Sequence, residues 1–180
     1  DKHPLIEAAI DVMKLPEDTA LRINIFSDAP PGASTGTSAA VSVALIGALD
    51  HLMGGGLGAH DVAGLAHFIE TKKLGLQCGI QDQLASAYGG INFIAMHEFP
   101  SSTVTPVRIP NPVWWELEHR LAVIYIGRPH SSSAIHEKVI DGLGAEPQGD
   151  PRLERLRLLA VGAREAIVGS DFSALGRIMN

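Results

Sequence analysis

The sequence feature that most constrains the fold is a loop of prolines and small residues between an alternating segment and a long apolar one. The loop runs over residues 28–36 and begins with an aspartate, an alanine and the pair Pro30-Pro31. Proline cannot donate to a sheet ladder, so the pair ends any strand that precedes it. The small residues that follow allow the backbone to approach a ligand closely. The apolar segment from Thr37 to about Met53 predicts a buried helix.

A helix that begins at Thr37 offers an anion site at its N-terminus, because its first N–H groups are free and its dipole is positive there. Hydroxyl groups that can bind a phosphate or Mg²⁺ surround this point, at Ser34, Thr35, Thr37 and Ser38. The stretch has no lysine and no Gly-x-x-x-x-Gly-Lys pattern, so it is not the common P-loop. Two interpretations remain open on local grounds: a phosphate-binding loop, and a strand-to-helix turn with Ser and Thr as helix caps.

Composition limits the classes of protein that the chain can belong to. Its 180 residues are enough for one domain with a good core. The net charge of −6 argues against a nucleic-acid partner. A single cysteine excludes an internal disulfide framework and, with no signal peptide at the start, predicts a cytoplasmic protein. No apolar run is long enough to cross a membrane.

Hydrophobic periodicity predicts a mixture of helices and strands. We expect helices at residues 4–13, 37–53, 59–73, 81–88, 134–143, 151–168 and 171–179, and strands at residues 21–26, 91–96, 103–109 and 121–126. The mixed order indicates an α+β fold with a largely antiparallel sheet. Three glycines, Gly54-Gly55-Gly56, fit a helix stop with a linker better than a second phosphate loop.

A second informative stretch is Gly79-Ile80-Gln81-Asp82-Gln83, just before a short predicted helix. Polar residues at a helix start are ordinary capping chemistry, but a carboxylate beside a glycine loop can also accept a proton from a substrate hydroxyl. Glu70 lies near the end of the preceding helix, where the dipole disfavours a carboxylate. Its position indicates another use for the carboxylate, while a solvated surface glutamate stays the default interpretation. Cys78 fits a passive small residue better than a nucleophile, and His67 a packed or surface residue better than a metal ligand.

Residues 30–39 resemble the second motif of the GHMP kinases, usually written Pro-x-x-x-Gly-Leu-Gly-Ser-Ser-Ala. Gly36, Ser38 and Ala39 match it, whereas Ser34-Thr35 stands where the family has Gly-Leu and Thr37 replaces the first Ser. The family also carries a Glu on a helix and, about a dozen residues later, an Asp in a Gly-rich stretch, the spacing of Glu70 and Asp82.

Two further runs resemble the sugar-kinase branch of this family that contains D-glycero-D-manno-heptose 7-phosphate kinase. They are Gly79-Ile80-Gln81-Asp82-Gln83 and Gly89-Gly90-Ile91-Asn92-Phe93. That branch usually has Gly-Gly-Lys before Gln-Asp-Gln, where this sequence has Cys78-Gly79-Ile80 and therefore lacks the lysine.

The resemblance implies the GHMP kinase N-terminal domain, a ribosomal protein S5 domain 2-like α+β fold, running into the start of a ferredoxin-like C-terminal domain. It implies that residues 1–127 are the ATP-binding domain without its first strands, and that residues 128–180 begin a truncated C-terminal domain. The chain is then expected to be the central piece of a longer protein.

The resemblance also implies ATP and Mg²⁺ and assigns roles to individual residues. Asp82 is the expected catalytic residue, and Ser38 and Glu70 are the expected Mg²⁺ ligands. Gly79, Gln81 and Gln83 are expected to line the substrate site. The expected contacts to the ATP phosphates are Pro31, Gly32, Ala33, Ser34, Thr35, Gly36, Thr37 and Ser38.

The expected activity is phosphoryl transfer from ATP to a hydroxyl of a sugar or sugar phosphate, with no nucleic-acid or membrane partner and a homodimer as an option. Three alternatives stay open: a kinase for galactose, mevalonate or homoserine, a nucleotide-binding relative without turnover, and a scaffold whose loops are only structural. The roles of two other segments also stay open, namely the Trp114-Trp115 pair and the turn from Gly127 to Ser133.

Overall fold

The structure is a computed structural model that describes residues 3–29, 35–125, 127, 132–143 and 149–180. The part of the chain that it describes contains helices, one π-helical turn and an antiparallel hairpin. In chain order the elements are α1 (Pro4–Met13), α2 (Thr37–Leu52), α3 (Ala59–Phe68), the π-turn (Ile69–Lys73), α4 (Gln81–Tyr88), β1 (Asn92–Glu98), β2 (Ser101–Pro106), α5 (Asn111–Arg120), α6 (Ser132–Leu143), α7 (Pro151–Val168) and α8 (Phe172–Met179).

The chain divides into two compact units, Asp1–Gly89 with Ile126–Lys138 and Gly90–Tyr125 with Val139–Asn180. The first unit has a helical core in which α2 packs against α1, α3 and α4. Apolar side chains of α1, α2, α3 and the π-turn fill this core, namely Ala9, Met13, Leu45, Ile46, Leu49, Val62, Ala66 and Ile69. The predicted burial of the helix from Thr37 is thereby confirmed.

Local chemistry sets both ends of α2. Gly36 precedes the helix in a left-handed conformation, with φ of 69° and ψ of 22°, which glycine adopts without strain. After Leu52, the glycines 54–56 all have positive φ. The Asp50 carboxylate accepts hydrogen bonds from the N–H groups of Gly56 and Leu57, at 3.2 and 3.3 Å. These glycines therefore form the helix stop that the sequence predicts.

The second unit combines the β1–β2 hairpin with helices α5, α7 and α8. The two strands pair antiparallel from Asn92 opposite Pro106 to Glu98 opposite Ser101, with an irregularity between Met96 and Glu98. A small core forms around Leu117, Ala166 and Leu175. Two arginines lie over aromatic rings, Arg164 over Phe93 at 4.4 Å and Arg120 over Phe172 at 5.2 Å.

Two predicted strands are wrong for this chain. Residues 21–26 and the described residues of the 121–126 segment are not in strands. Ile23 is half-buried and packs against the first core, but most of the other apolar side chains are exposed, with Phe26 at 93%, Val123 at 86% and Ile124 at 81%. A strand exists only where a neighbour completes its hydrogen-bond ladder. In the described parts of the chain, no backbone-to-backbone hydrogen bond involves residues 21–26 or residues 122–125.

Other boundaries also differ from the predictions. The helix predicted over residues 59–73 is α-helical only to Phe68 and ends in the π-turn. The segment that holds Trp114 and Trp115 is helix α5, which has Pro112 in its first turn, a favourable position for proline. The strand predicted over residues 103–109 lies at Ser101–Pro106. The domain boundary near residue 127 and the ferredoxin-like start of a C-terminal domain remain predictions. None of the described helices is long and apolar enough to span a membrane.

Two glycines at α2 provide a paired test of this architecture. We expect Gly36→Ala to lower the free energy of unfolding by about 1–2 kcal/mol, because alanine is strained at φ of 69°. Gly47 lies inside the helix, and apart from its own helical neighbours no described atom stands within 4 Å of the position that a Cβ would take there. We expect Gly47→Ala to raise the free energy of unfolding by about 0.5–1 kcal/mol. Urea denaturation of both variants measures these changes, and equal effects of the two would contradict the described start of α2.

Candidate functional site

The N-terminus of α2 carries backbone N–H groups that the described residues leave without a partner. No side chain of the described residues caps it, and the first helical hydrogen bond runs from Ala40 N to Gly36 O at 2.9 Å. Within the same described residues, the N–H groups of Thr37, Ser38 and Ala39 have no hydrogen-bond partner. Three aligned donors at the positive end of a helix dipole favour an anion.

Hydroxyl groups border these N–H groups. Thr35 Oγ1 and Thr37 Oγ1 lie 3.1 Å apart, and the Ser38 side chain lies in the first turn of α2. These residues and Gly36 belong to the predicted phosphate site and do lie together. The other predicted phosphate contacts, Pro31, Gly32, Ala33 and Ser34, lie outside the described residues.

Asp82 is a predicted site residue that comes close to the start of α2. Its Cγ and Oδ2 lie 3.5 Å from the point where a Cβ would stand on Gly36. Asp82 is exposed and occupies the first turn of α4, where the helix dipole favours a carboxylate. The carboxylate therefore borders the anion site at α2, although Gly36 and Asp82 are far apart in the sequence.

Glu70 approaches α2 from a buried position. Only 4% of its surface is exposed, and its Oε1 accepts a hydrogen bond of 2.9 Å from Ser42 Oγ. Ser42 stands one helical turn after Ser38, and the Ser42 hydroxyl also lies 2.9 Å from the Ser38 carbonyl oxygen. One buried serine thus connects Glu70 to the first turn of α2.

The π-turn fixes the backbone at Glu70. Leu74 N donates to Ile69 O at 3.0 Å, a bond that spans five residues, and Leu76 N donates to Glu70 O at 2.9 Å. π-Helical turns at the end of an α-helix are rare and occur often at functional sites. Lys73 of the same turn forms a 2.6 Å ion pair with Asp11 of α1, and the hydrogen bond from Lys73 lowers the pKa of Asp11 below its usual value of 3.8.

Cys78 is the next neighbour of Glu70. Its Sγ lies 3.8 Å from Glu70 Oε2. Burial first, and then the nearby negative charge of Glu70, raises the pKa of the Cys78 thiol to about 11 from a usual value of 9.0. A thiol with a raised pKa is a poor nucleophile at neutral pH. This agrees with the interpretation of Cys78 as a passive residue.

The predicted substrate residues hold the loop before α4. Gln81 is exposed, but its side chain folds back over Gly79, where a Cβ would collide with the Gln81 amide. Gln83 is only 1% exposed. With its amide oriented to face acceptors, Gln83 Nε2 donates to the carbonyl oxygens of Gly79 and Ile80 at 3.0 and 3.3 Å. Gln83 therefore supports this loop from inside, and its role toward a substrate stays a prediction.

The residues present fit Mg²⁺. Within the described residues, no lysine or arginine forms an ion pair with Glu70, and a hydroxyl and a thiol adjoin its buried carboxylate. Mg²⁺ prefers oxygen ligands and is often held by one or two protein groups together with phosphates. The described residues contain no cluster of three or more His, Cys, Asp or Glu side chains that could hold a metal by themselves. The site therefore suits a metal that arrives with a phosphate ligand.

Sequence reasoning missed Ser42. A lone serine four residues after Ser38 in an apolar helix was the available signal for Ser42. His67 is buried in α3, as one of its interpretations allowed. Trp115 is exposed on α5, and Trp114 Nε1 donates to Glu118 Oε1 of the same helix at 2.7 Å. Most of the 127–133 turn lies outside the described residues.

An open cleft of about 400 Å³ lies beside the first turns of α2. Its walls combine the segment around residues 24–27 with one face of α2, and its lining includes Asn24, Phe26, Ser27, Thr37 and Val41. The cleft is thus continuous with the N-terminal end of α2, where the N–H groups of the first turn lie.

The state of Cys78 gives a direct chemical test of this geometry. At pH 8 a thiol with a pKa of about 11 is about a hundredfold less ionised than one with its usual pKa of 9.0. We expect iodoacetamide to modify the native chain about a hundredfold more slowly than the urea-unfolded chain. Because the chain has one cysteine, intact-mass spectrometry reads the reaction completely. Native and unfolded rates that agree within a factor of about three would contradict the buried contact with Glu70.

The raised pKa of the Cys78 thiol also determines how the free energy of unfolding changes with pH. The unfolded chain releases the thiol proton at lower pH than the native chain does, so this thiol favours unfolding as the pH rises from 9.0 to about 11. The Cys78→Ala variant lacks this contribution and serves as the control in the same pH series.

The chain is similar in sequence to known kinases. Residues 4–90 match the family model of the GHMP kinases N terminal domain. A D-glycero-alpha-D-manno-heptose 7-phosphate kinase of Campylobacter jejuni is 31% identical over 157 residues, which are 87% of this chain and 46% of that protein. A mevalonate kinase of Thermococcus sibiricus is 34% identical over 164 residues, 88% of this chain and 45% of that protein.

A solved structure shares the fold. The crystal structure of a D-glycero-D-manno-heptose 1-phosphate kinase from Bacteroides thetaiotaomicron has a TM-score of 0.75 and 24% identity, and the match covers 98% of this chain and 52% of that one. The chain spans about half the length of the curated relatives it matches. The predicted α+β fold is confirmed, and residues 4–90 of the chain belong to the GHMP kinase family as its N-terminal domain.

Proposed function

We propose that the chain supplies the ATP site of a small-molecule kinase that phosphorylates a hydroxyl of a sugar or sugar phosphate. The observation that carries this proposal is the position of Asp82 beside Gly36, at a helix N-terminus that no described side chain caps. A carboxylate that borders an anion site is what transfer of a phosphoryl group to an alcohol requires.

The phosphate site in this proposal is the start of α2. The N–H groups of Thr37, Ser38 and Ala39 donate to phosphate oxygens, and the Thr35 and Thr37 hydroxyls add donors. The proposed site continues into Pro31, Gly32, Ala33 and Ser34, as the family motif implies. The remainder of the nucleotide has room in the cleft beside α2.

Ser38 and Glu70 would hold Mg²⁺ in this proposal. The Ser38 backbone and the buried Glu70 carboxylate are joined through Ser42, so both belong to one connected part of the chain. When bound, Mg²⁺ would neutralise the negative charge that develops on the phosphates. The negative groups at the site otherwise repel the nucleotide, which is why a cation is needed there.

Asp82 is the proposed catalytic residue. Its carboxylate accepts the proton of the substrate hydroxyl, or orients that hydroxyl for attack on the γ-phosphate. Because Gly36 has no side chain, the reacting groups can approach the carboxylate closely. Gly79 and Gln81 are the proposed substrate contacts, with Gln83 fixing the loop that carries them.

The proposed acceptor is a heptose phosphate or a related sugar. The support is the 31% identical heptose 7-phosphate kinase together with the Gln81-Asp82-Gln83 and Gly89-Gly90-Ile91-Asn92-Phe93 runs. Mevalonate is the second candidate, because a mevalonate kinase is 34% identical over a similar share of the chain. A cytoplasmic location and a homodimer remain predictions.

The test is ATP turnover by the full-length product of the gene that encodes this chain. The panel holds heptose 7-phosphate, galactose, mevalonate and homoserine with Mg²⁺ and ATP. We expect turnover with a sugar or sugar phosphate, and a loss of about 10²- to 10⁴-fold in kcat for Asp82→Asn, because the variant cannot accept the proton. Coupled ADP release measures both.

A matched control is Asp61→Asn. Asp61 occupies the first turn of α3 as Asp82 occupies that of α4, and its carboxylate accepts the Gly58 N–H at 3.1 Å. We expect normal turnover from this variant. Turnover that survives Asp82→Asn would remove Asp82 from the catalytic role, and turnover with mevalonate alone would select the second candidate. Nucleotide binding without any turnover would replace the kinase with a non-catalytic relative.

A further inference from the structure

The single hydrogen of the Ser42 hydroxyl has two acceptors at 2.9 Å, and the two contacts differ in kind. A serine in a helix commonly bonds the carbonyl oxygen four residues earlier, and the Ser42–Ser38 contact is of this ordinary type. The second contact, to Glu70 Oε1, joins α2 to the π-turn across 28 residues of sequence. Ser42 is 1% exposed and Glu70 is 4% exposed, so water does not compete for this bond.

The two oxygens of Glu70 have unequal neighbours. Oε1 faces the Ser42 hydroxyl at 2.9 Å, whereas among the described residues Oε2 faces only the Cys78 sulfur, at 3.8 Å. A hydroxyl is a good donor and a thiol is a weak one. The stronger bond therefore fixes the plane of the carboxylate and leaves Oε2 as the oxygen that can take another ligand.

The backbone alone does not fix this carboxylate. Glu70 lies in the π-turn that follows α3, outside the regular α-helix. Glutamate also has three rotatable side-chain bonds, which must be held if the group is to act as a preorganised ligand.

From these contacts we infer that Ser42 is a positioning residue, which orients Glu70 so that Oε2 is presented to the divalent cation carried by the nucleotide. The inference rests on the proposed function. It assigns to Ser42 a role in metal affinity rather than in proton transfer or in binding of the sugar. Residues that orient a metal ligand in this way typically contribute a factor of about 10 to 100 in metal affinity.

The test compares two affinities of the full-length protein for one nucleotide analogue, adenylyl-imidodiphosphate. Isothermal titration calorimetry measures its dissociation constant with Mg²⁺ and, separately, in EDTA without metal. We expect Ser42→Ala to weaken binding of the Mg²⁺ complex about tenfold and to leave the metal-free affinity unchanged. We expect Ser42→Thr, which retains a hydroxyl, to restore most of the loss.

A double-mutant cycle makes the assignment specific. In a Glu70→Gln background, Ser42→Ala should cause no further loss of the Mg²⁺ complex, because the ligand that it orients is already gone. Additive effects of the two changes would overturn the inference, as would equal weakening of the metal-free and Mg²⁺ complexes.

The readouts separate this inference from the proposed function. Unchanged Mg²⁺ dependence in Ser42→Ala, in a protein that phosphorylates a sugar, overturns the role of Ser42 and leaves the kinase in place. A wild-type protein that shows Mg²⁺-dependent nucleotide binding but no turnover loses the proposed function, while the calorimetric comparison still decides the role of Ser42. A wild-type protein whose nucleotide affinity is the same with and without Mg²⁺ overturns the inference.

Discussion

One helix, α2, has to provide most of the core of the first unit and also the proposed phosphate site, and much of that unit follows from this constraint. Along most of its length α2 buries apolar side chains such as Ile46 and Leu49 against three other helices. In its first turn, by contrast, no described side chain caps the three leading N–H groups. Packing therefore holds the helix in place without help from its N-terminus, and that end remains available to a ligand.

The polar group at Glu70 shows how such a site departs from ordinary core construction. A carboxylate in a buried position normally has a cationic partner or several good donors. Within the described part of the chain one hydroxyl and one thiol adjoin it, both uncharged in their usual state. Apolar residues of the same volume would give a simpler core, so the carboxylate makes physical sense as a ligand for a cation that binds with a substrate.

The sequence predicted the parts of the fold that local chemistry determines. Glycine and periodic apolar residues set the start and end of α2, and the Gln81-Asp82-Gln83 run marked the start of α4. The alternating patterns at residues 21–26 and 121–126 misled, because alternation shows which face of a strand can be buried but not whether a partner strand is present. The family motif identified Glu70 and Asp82 as candidates, yet the bond from Ser42 to Glu70 depends on tertiary packing, which no spacing rule describes.

The π-turn has a consequence for the length of the chain at this point. A π-turn contains one residue more than the α-helical turn it replaces. Deletion of Thr71 would return the segment to α-helical register and rotate every later residue of the turn by about 100° relative to α3. Glu70 would keep its place next to Ser42, while Lys73 would lose its alignment with Asp11. The extra residue thus behaves as an insertion that lets Lys73 pair with Asp11 and so links α1 to the end of α3. A homologue without this residue would show whether the ion pair or the buried Glu70 carboxylate arose first in evolution.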